Sequence, residues 1–229
     1  MYGVPNPEAE DMTINPRVEV LTLSSCAKHG ANQWVPAQPP LHGCVGQPGS
    51  GNSGQGPGVG PGDYFAKTLA EAFPEDTILL VPGAVPGVSI DTFQPGQQNY
   101  DNLLTRAKLA QQRGEIRGMI FHQGESDTGQ STWPMRVKTV VDRLRSDLGV
   151  ANAPFVAGEL WYGGCCATHN TLVNQLPNVI ANAVVAKADG LSGLPKSYDM
   201  FGNYHFDLPS QRILGARYGQ AMLTLLGKP

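Results

Sequence analysis

The residues best suited to chemistry form one dense polar cluster, His-Gln-Gly-Glu-Ser-Asp at 122–127, directly after the largely apolar run 116–121. A strand that ends in such a cluster places functional groups at the carboxyl edge of a sheet, where open α/β folds bind their ligands. A polar turn needs only a glycine and one Asn, Asp or Ser. We therefore interpret the cluster as part of a site, with an ordinary turn as the alternative.

Two further segments fall at the same predicted edge, 83–89 after the preceding strand and 202–207 before the last helix. In the second segment His205 is the best general base, because imidazole titrates near neutral pH. Gln123 offers an amide N–H for an oxyanion hole, and the backbone N–H of Gly87 offers a second donor, as acyl transfer requires. The structural alternatives are an exposed loop histidine for His205, a capped turn for Gln123 and a tight bend for Gly87.

Other chemistries are less well matched by the same residues. Glu125 and Asp127 have the residue types of a glycosidase carboxylate pair or of metal ligands, but such pairs are common on solvated loops. Ser126 lies outside any G-x-S-x-G turn. The cysteines lack C-x-x-C spacing and matching histidines, so we expect no structural zinc. We predict a site without metal or cofactor.

The elements that position these segments alternate between strand and helix. Strands are predicted at 17–23, 77–82, 116–121, 154–160 and 184–188, and helices from 63, at 99–113, at 132–148, at 171–183 and from 209. This alternation predicts a parallel sheet covered on both faces, a three-layer α/β/α sandwich. We expect one domain over 1–229, with a long loop at 24–61 that contains a Gly/Pro-rich surface excursion at about 46–62.

Composition restricts the partners. A formal net charge of −3 and 15% charged residues give no field that would attract nucleic acid or an anionic membrane. No apolar run approaches the length of a membrane span, and the first residues lack a signal-peptide pattern. Few charges and an even cysteine count favour an exported protein, secreted or periplasmic, with disulfides. We expect Cys26 to pair with Cys44, whereas Cys165 and Cys166 either pair with each other or stay thiols.

The chain resembles the SGNH hydrolase superfamily, in its sialate O-acetylesterase-like branch that includes acetylxylan esterases. The matching pieces, in chain order, are Asn15-Pro16-Arg17-Val18, Trp34-Val35-Pro36-Ala37 with Pro40-Leu41-His42, Gly58-Val59-Gly60-Pro61 leading into Phe65-Ala66, Leu80-Val81-Pro82, Ser89-Ile90, the block 122–127, and His205-Phe206-Asp207 with Leu214-Gly215-Ala216-Arg217-Tyr218. The block 122–127 is specific to the family. The other pieces are weak alone, but they occur in the same order as in the family.

The resemblance implies a flavodoxin-like parallel sheet and the metal-free deacetylation of carbohydrate esters. In that family the nucleophile is the serine of a Gly-Gln-Ser-Asn block just after the first strand. The opening Met1-Tyr2-Gly3 looks like the residues directly after that block, so we expect the first strand and the serine to be supplied by sequence outside these residues. Ser24 and Ser25, which follow a predicted strand, are the fallback nucleophiles.

The resemblance also implies roles for the remaining residues. An Asp three residues before the catalytic His orients it in the family, and here that position is Gly202. We prefer Asp199 as the orienting carboxylate over Asp207, and a Ser–His dyad is the alternative. His122, Glu125 and Ser89 are assigned to substrate binding, with an acetylated carbohydrate as the expected partner.

A second hypothesis is a non-catalytic carbohydrate-binding protein on the same fold. Its stacking surfaces would come from the aromatic side chains Trp34, Trp133, Trp161 and Tyr162. Under either hypothesis, a sheet without its first strand leaves the neighbouring strands with unpaired backbone groups. We therefore expect the isolated chain to be poorly stable unless another segment fills the gap.

Overall fold

The computed structural model describes residues 6–48, 58–194 and 204–228. The strands are β1 (Val18–Leu21), β2 (Trp34–Pro36), β3 (Ile78–Leu80), β4 (Met119–Phe121), β5 (Phe155–Gly158) and β6 (Ala183–Ala186). The α-helices are α1 (Pro61–Ala72), α2 (Gln98–Ala110), α3 (Trp133–Leu148), α4 (Asn170–Val173), α5 (Leu176–Val179) and α6 (Leu208–Leu225). The central part of the predicted excursion at 46–62, and also Asp199 and Gly202, lie outside the described residues.

Strand β5 divides the core into two layers. Its Phe155 and Ala157 pack with side chains of α2, α3 and α5, whereas Val156 packs with α1 and α6. Successive side chains of a strand point to opposite faces of the sheet, so helices cover both faces. The predicted three-layer α/β/α sandwich is confirmed.

The sheet itself is in two parts. One half has the strand order β2-β1-β3 and the other has the order β4-β5-β6. All pairings are parallel except β1 with β2, which is antiparallel. Strand β2 lies inside the predicted loop 24–61 and was not predicted, because Trp34-Val35-Pro36 is too short for alternation and ends in a proline, which is rare inside strands,.

A cavity of about 770 Å³ separates β3 from β4, and we call it the inter-sheet slot. The facing edges 78–82 and 114–121 line it, together with α1 and α6 on one face of the sheet and α2 and α3 on the other. No residue of β3 or β4 is fully buried, whereas all four residues of β5 are. Among the described residues, neither β3 nor β4 pairs with a strand on the side that faces the slot.

The connection before β6 differs from the prediction. In place of one helix over 171–183, the chain forms the short helices α4 and α5. Pro177 lies in the first turn of α5, where proline is favoured,. Inside a longer helix the same residue would remove a hydrogen bond and clash with the preceding turn, which explains the break.

Cross-links hold the segments around the site. The disulfide Cys26–Cys44 is formed as expected, with a Cα–Cα distance of 5.7 Å, while Cys165 and Cys166 are free thiols. The buried Arg106 guanidinium donates to the carbonyls of Leu21 and Pro82 at 2.7 and 3.2 Å, so it ties together the carboxyl ends of β1 and β3. In the described residues we find no helix with the length and apolarity needed to cross a membrane.

Candidate active site

The polar cluster leaves the carboxyl end of β4, as the sequence predicts, and turns sharply at Gly124. A Cβ atom at this position would lie 2.5 Å from Cδ2 of the buried His169 ring. Such a distance is shorter than any tolerated contact, so the turn requires glycine there. The residues 125–127 then form a single 3₁₀ turn.

Asp127 is the centre of this loop and is fully buried. Its Oδ2 atom accepts the Ile90 backbone N–H at 2.7 Å and the Gln123 side-chain N–H at 2.5 Å. The carboxylate thereby joins the segment after β3 to the segment after β4. Asp127 is buried and already accepts from these two donors, which does not favour the carboxylate-pair alternative.

The Gln123 amide is held by three partners. Besides Asp127, its Nε2 donates to the Val88 carbonyl at 3.2 Å, and its Oε1 accepts the Trp133 indole N–H at 2.7 Å. Both amide hydrogens are therefore engaged. To donate to an oxyanion, Gln123 would have to exchange one of them, and the longer bond to Val88 is the weaker competitor.

His122 has a defined hydrogen-bonding state. Tyr218 Oη donates to the Phe121 carbonyl at 2.7 Å, so it accepts from His122 Nδ1–H at 3.1 Å. Nε2 then carries the lone pair and faces Glu125 Oε1 at 3.9 Å. Burial, with a smaller contribution from His205, lowers the pKa of His122 to about 3. His122 is therefore neutral at physiological pH and is no candidate for a cationic role.

Glu125 and His205 lie within electrostatic reach of each other. Burial raises the pKa of Glu125, and a positive charge on His205 would oppose that shift. The backbone carbonyl of the half-buried His205 accepts the Leu194 N–H at 2.9 Å, and its ring lies edge-on to Tyr204 with a centroid distance of 6.3 Å. His122 links the two segments, because it faces Glu125 and its ring contacts Phe206, the residue next to His205, at a centroid distance of 6.0 Å.

Of the two carboxylates considered for orienting His205, Asp207 lies within the described residues and Asp199 does not. Asp207 caps α6, because its Oδ1 accepts the Ser210 N–H at 2.9 Å. Asp199 lies outside the described residues.

The predicted residues of segment 83–89 lie in an open loop. Gly87 has φ +68° in open surroundings, a backbone conformation that L-residues rarely adopt. The Ser89 hydroxyl accepts the Asp91 N–H at 3.3 Å and caps the short 3₁₀ helix Ile90–Phe93. Of the fallback nucleophiles, Ser25 is engaged in its own loop, where its Oγ accepts the Ala31 N–H at 3.0 Å.

The aromatic residues proposed for sugar stacking differ in accessibility. Trp133 is fully buried in the core, so the expectation that it stacks on a sugar is wrong. Tyr162 is exposed, Trp161 is half-buried, and the Trp34 ring lies 5.2 Å from the Arg113 guanidinium. The stacking surface is therefore smaller than the sequence suggested.

Sequence reasoning did not assign roles to two residues at the site. Tyr218 on α6 fixes the His122 ring, and its position in the matched stretch 214–218 was the signal for it. His42 lines the slot together with His122 and Gln123. Burial, with the nearby Arg106 charge, lowers the pKa of His42 to about 3. The end of the slot nearest the polar cluster thus presents neutral imidazoles and an amide.

One group of potential metal ligands occurs in the described part of the chain, at Cys26, His29 and Cys44. The two sulfurs are joined in the disulfide, and His29 Nε2 accepts the Val45 N–H at 3.0 Å. These donor atoms are therefore already committed to structural contacts.

The known proteins to which this chain is similar are described as carbohydrate esterases. Residues 3–224 match the family model described as carbohydrate esterase, sialic acid-specific acetylesterase. A probable carbohydrate esterase of Arabidopsis thaliana is 27% identical over 216 residues, which cover 91% of this chain and 76% of that protein. Its X-ray structure superposes with a TM-score of 0.77 at 25% identity, covering 95% of this chain and 85% of the other. A carbohydrate acetylesterase of Xanthomonas citri shares the fold, with a TM-score of 0.61 at 17% identity over 94% of this chain and 51% of the other.

Proposed function

Because the chain belongs to the sialic acid-specific acetylesterase family of carbohydrate esterases, we propose that it removes O-acetyl groups from carbohydrates by a Ser–His mechanism. The observation that carries this proposal is the position of His122 at the carboxyl end of β4, where its Nε2 faces Glu125 Oε1 at 3.9 Å and its ring contacts Phe206, the residue next to His205, at a centroid distance of 6.0 Å. Acetylated xylan and sialate-type esters are the substrates that we place first.

In this mechanism His205 takes the proton of a serine hydroxyl as the serine oxygen attacks the acetyl carbonyl. The resulting oxyanion accepts hydrogen bonds from the Gly87 backbone N–H and from the Gln123 amide. Collapse of the intermediate breaks the ester bond, and the sugar oxygen receives the proton from His205. Water then releases acetate from the acetylated serine by the same steps, with His205 first as base and then as acid.

The remaining residues position this machinery. Glu125 braces the loop, and with His122 and Ser89 it faces the sugar. Tyr218 holds the His122 ring through the 3.1 Å contact. Asp199 is our choice for orienting His205, with a Ser–His dyad as the alternative.

We further propose that the nucleophilic serine lies on a segment outside residues 1–229. Ser25 Oγ accepts the Ala31 N–H, and Ser126 is exposed. A serine carried at the end of a strand would enter beside His122 and Gln123, where the slot opens.

The test is a fusion in which an apolar strand followed by Gly-Gln-Ser-Asn precedes Met1. We expect acetate release from acetylated xylan and p-nitrophenyl acetate. His205→Ala should lower kcat by at least about 100-fold, the lower end of the effect of losing a general base. Ser126→Ala, a change at an exposed neighbour, should leave kcat unchanged. A folded fusion without turnover, or full activity in His205→Ala, would refute the proposal.

The non-catalytic alternative keeps one supporting observation, the exposed Tyr162 at 49%. Calorimetry of acetylated xylo-oligosaccharides with the 229-residue chain separates the two functions. Glycan binding by a fusion that folds but never turns over would favour the binding protein. For the location of the protein we propose export, which the disulfide Cys26–Cys44 supports,.

A further inference from the structure

Two adjacent cysteines lie in the loop between β5 and α4. Cys165 is exposed, whereas Cys166 is buried, with 8% of its surface exposed. Both are free thiols, in contrast to the bonded pair Cys26 and Cys44. The proposed ester hydrolysis uses neither of them. An exposed thiol directly followed by a buried one provides a first and a second thiol for exchange with a disulfide.

The buried thiol of Cys166 lies against the candidate active site. Its Sγ atom donates to the backbone carbonyl of Glu125 at 3.9 Å, as a weak sulfur hydrogen bond,. Glu125 begins the 3₁₀ turn 125–127, and its carbonyl belongs to the same peptide group as the Ser126 N–H. A chemical change at Cys166 therefore acts directly on the loop that carries Glu125.

The loop holds the cysteine pair at both ends. Before the pair, the Gly164 N–H donates to the Trp161 carbonyl at 3.1 Å, and after it the His169 N–H donates to the Cys166 carbonyl at 2.9 Å. Two glycines directly precede the pair, and glycine adopts backbone conformations that other residues avoid. The backbone can therefore adjust at the glycines while Cys166 stays anchored.

A disulfide between neighbours in the sequence is strained. The Cα atoms of adjacent residues are about 3.8 Å apart, whereas a disulfide usually joins Cα atoms about 4.4–6.8 Å apart. Strain makes a disulfide easier to reduce, and such disulfides are the ones that open and close reversibly. The Cα atoms of Cys26 and Cys44 are 5.7 Å apart, within the usual range. The two pairs should therefore be oxidised under different conditions.

We propose that Cys165 and Cys166 form a redox-active dithiol, which a small-molecule disulfide oxidises reversibly to a vicinal disulfide, and that this oxidation alters the loop that carries Glu125. In the first step the Cys165 thiolate attacks one sulfur of the reagent, the S–S bond of the reagent breaks, and one reagent thiolate leaves. In the second step the Cys166 thiolate attacks Cys165 Sγ, and the second reagent thiolate leaves. The two protein thiols lose two electrons to the reagent, and their two protons pass to the reagent thiolates.

Oxidation removes the S–H donor of Cys166. The hydrogen bond to the Glu125 carbonyl cannot form in the disulfide, so this carbonyl keeps the Thr128 hydroxyl at 2.9 Å and the Thr128 N–H at 3.4 Å as donors. The pair thus couples the redox state of two thiols to the peptide group between Glu125 and Ser126. This coupling concerns the geometry of the loop and does not depend on ester hydrolysis.

The test uses the 229-residue chain with oxidised or reduced glutathione. Desolvation, together with the neighbouring Cys166 thiol, raises the pKa of Cys165 to about 11. Its thiolate is therefore scarce at neutral pH, and the reaction is run at about pH 9. Free thiols are then alkylated in urea, and the chain is digested with trypsin, which places both cysteines on the fragment 146–187.

The mass of this fragment reports the state of the pair. With oxidised glutathione we expect neither an alkyl group nor a glutathione on it, and with reduced glutathione we expect two alkyl groups. The equilibrium constant for oxidation by glutathione should be at least about 100-fold smaller for this pair than for Cys26 and Cys44.

Single variants separate ring closure from ordinary modification of one thiol. In Cys166→Ser the second step is absent, so Cys165 should stop at the mixed disulfide with one glutathione. In Cys165→Ser the buried Cys166 should remain a thiol and carry one alkyl group. If the unaltered chain accumulates the mixed disulfide, or stays a dithiol with oxidised glutathione, the proposal is wrong.

The effect on the loop is read from the Ser126 amide by NMR. We expect its nitrogen resonance to shift on oxidation and to return on reduction, whereas in Cys165→Ser oxidised glutathione should not move it. The Val45 amide, which donates to His29 Nε2, is the internal control and should stay in place. A closed disulfide without a shift at Ser126, or with an equal shift at Val45, would refute the coupling to the loop. Absence of ester hydrolysis would change neither readout, so the two proposals fail separately.

Discussion

Asp127 Oδ2 accepts hydrogen bonds from the Gln123 side chain at 2.5 Å and from the Ile90 backbone at 2.7 Å. This carboxylate joins the segments that follow β3 and β4 across the end of the inter-sheet slot. Among the described residues the two halves of the sheet share no ladder, so this contact helps to set the spacing of the loops that carry Gly87 and His122.

Replacing Asp127 should therefore destabilise the fold. Asp127→Ala leaves two buried donors unsatisfied, and we expect the free energy of unfolding to fall by about 2–4 kcal/mol. Asp127→Asn keeps an acceptor oxygen in place and should cost less than about 1.5 kcal/mol. Urea denaturation of both variants measures the difference, and an alanine variant as stable as the asparagine variant would contradict this role.

The disulfide should contribute to stability through the loop that it closes. Cys26 and Cys44 are 18 residues apart, and a loop of that size predicts a loss of about 3 kcal/mol on removal. The double variant Cys26→Ser with Cys44→Ser should lower the free energy of unfolding by that amount, measured from the urea denaturation curve. Cys165→Ser, at an exposed free thiol, is the control and should leave the midpoint unchanged.

The buried imidazole of His122 predicts a pH dependence of stability. Its pKa in the folded protein is lowered to about 3, below the value of about 6.5 for an unfolded chain. Between these values the unfolded state binds the additional proton, so stability is full above pH 6.5 and is lost as the pH falls towards 3. The slope from this one group is at most about 1.4 kcal/mol per pH unit.

The variant His122→Phe tests that slope. Phenylalanine does not titrate, and its ring can retain the edge-on contact with Phe206, which has a centroid distance of 6.0 Å. Urea midpoints measured from pH 7 to pH 4 should fall less steeply than in the parent protein. Parallel curves for the two proteins would show that His122 titrates normally.

The open slot predicts that the 229-residue chain is poorly stable alone. β3 and β4 have no fully buried residue, so the centre of the sheet lacks the burial that stabilises β5. We expect calorimetry to show a broad transition of low enthalpy. A sharp cooperative transition of the monomer would contradict this prediction.

The sequence predicted the layers of the fold because each layer depends on local patterns. The apolar run around Phe155 and the cluster after Phe121 indicated strands of a buried parallel sheet, and both were found. Strand β2, which was not predicted, has only three residues. It is defined by its pairing with β1, which local sequence does not show. The break at Pro177 was visible in the sequence as a proline inside a predicted helix.

The sequence predicted which residues belong to the site better than it predicted the contacts between them. The residue types around His122 indicated acid–base and hydrogen-bonding chemistry. The sequence could not show that Asp127, Val88 and Trp133 hold the Gln123 amide, since two of these contacts join segments that are distant along the chain or in different elements. For the same reason, the role of Tyr218 depended on the packing of α6 against β5.

The most direct test of the central claim is complementation without a covalent link. The 229-residue chain is mixed with a peptide that carries the apolar strand followed by Gly-Gln-Ser-Asn, and acetate release from acetylated xylan is measured. The same peptide with alanine in place of serine is the control. We predict acetate release when the chain is mixed with the serine peptide and none with the alanine peptide. The His205→Ala variant should release no acetate with either peptide. A folded complex of the chain with the serine peptide that releases no acetate would contradict the proposed function.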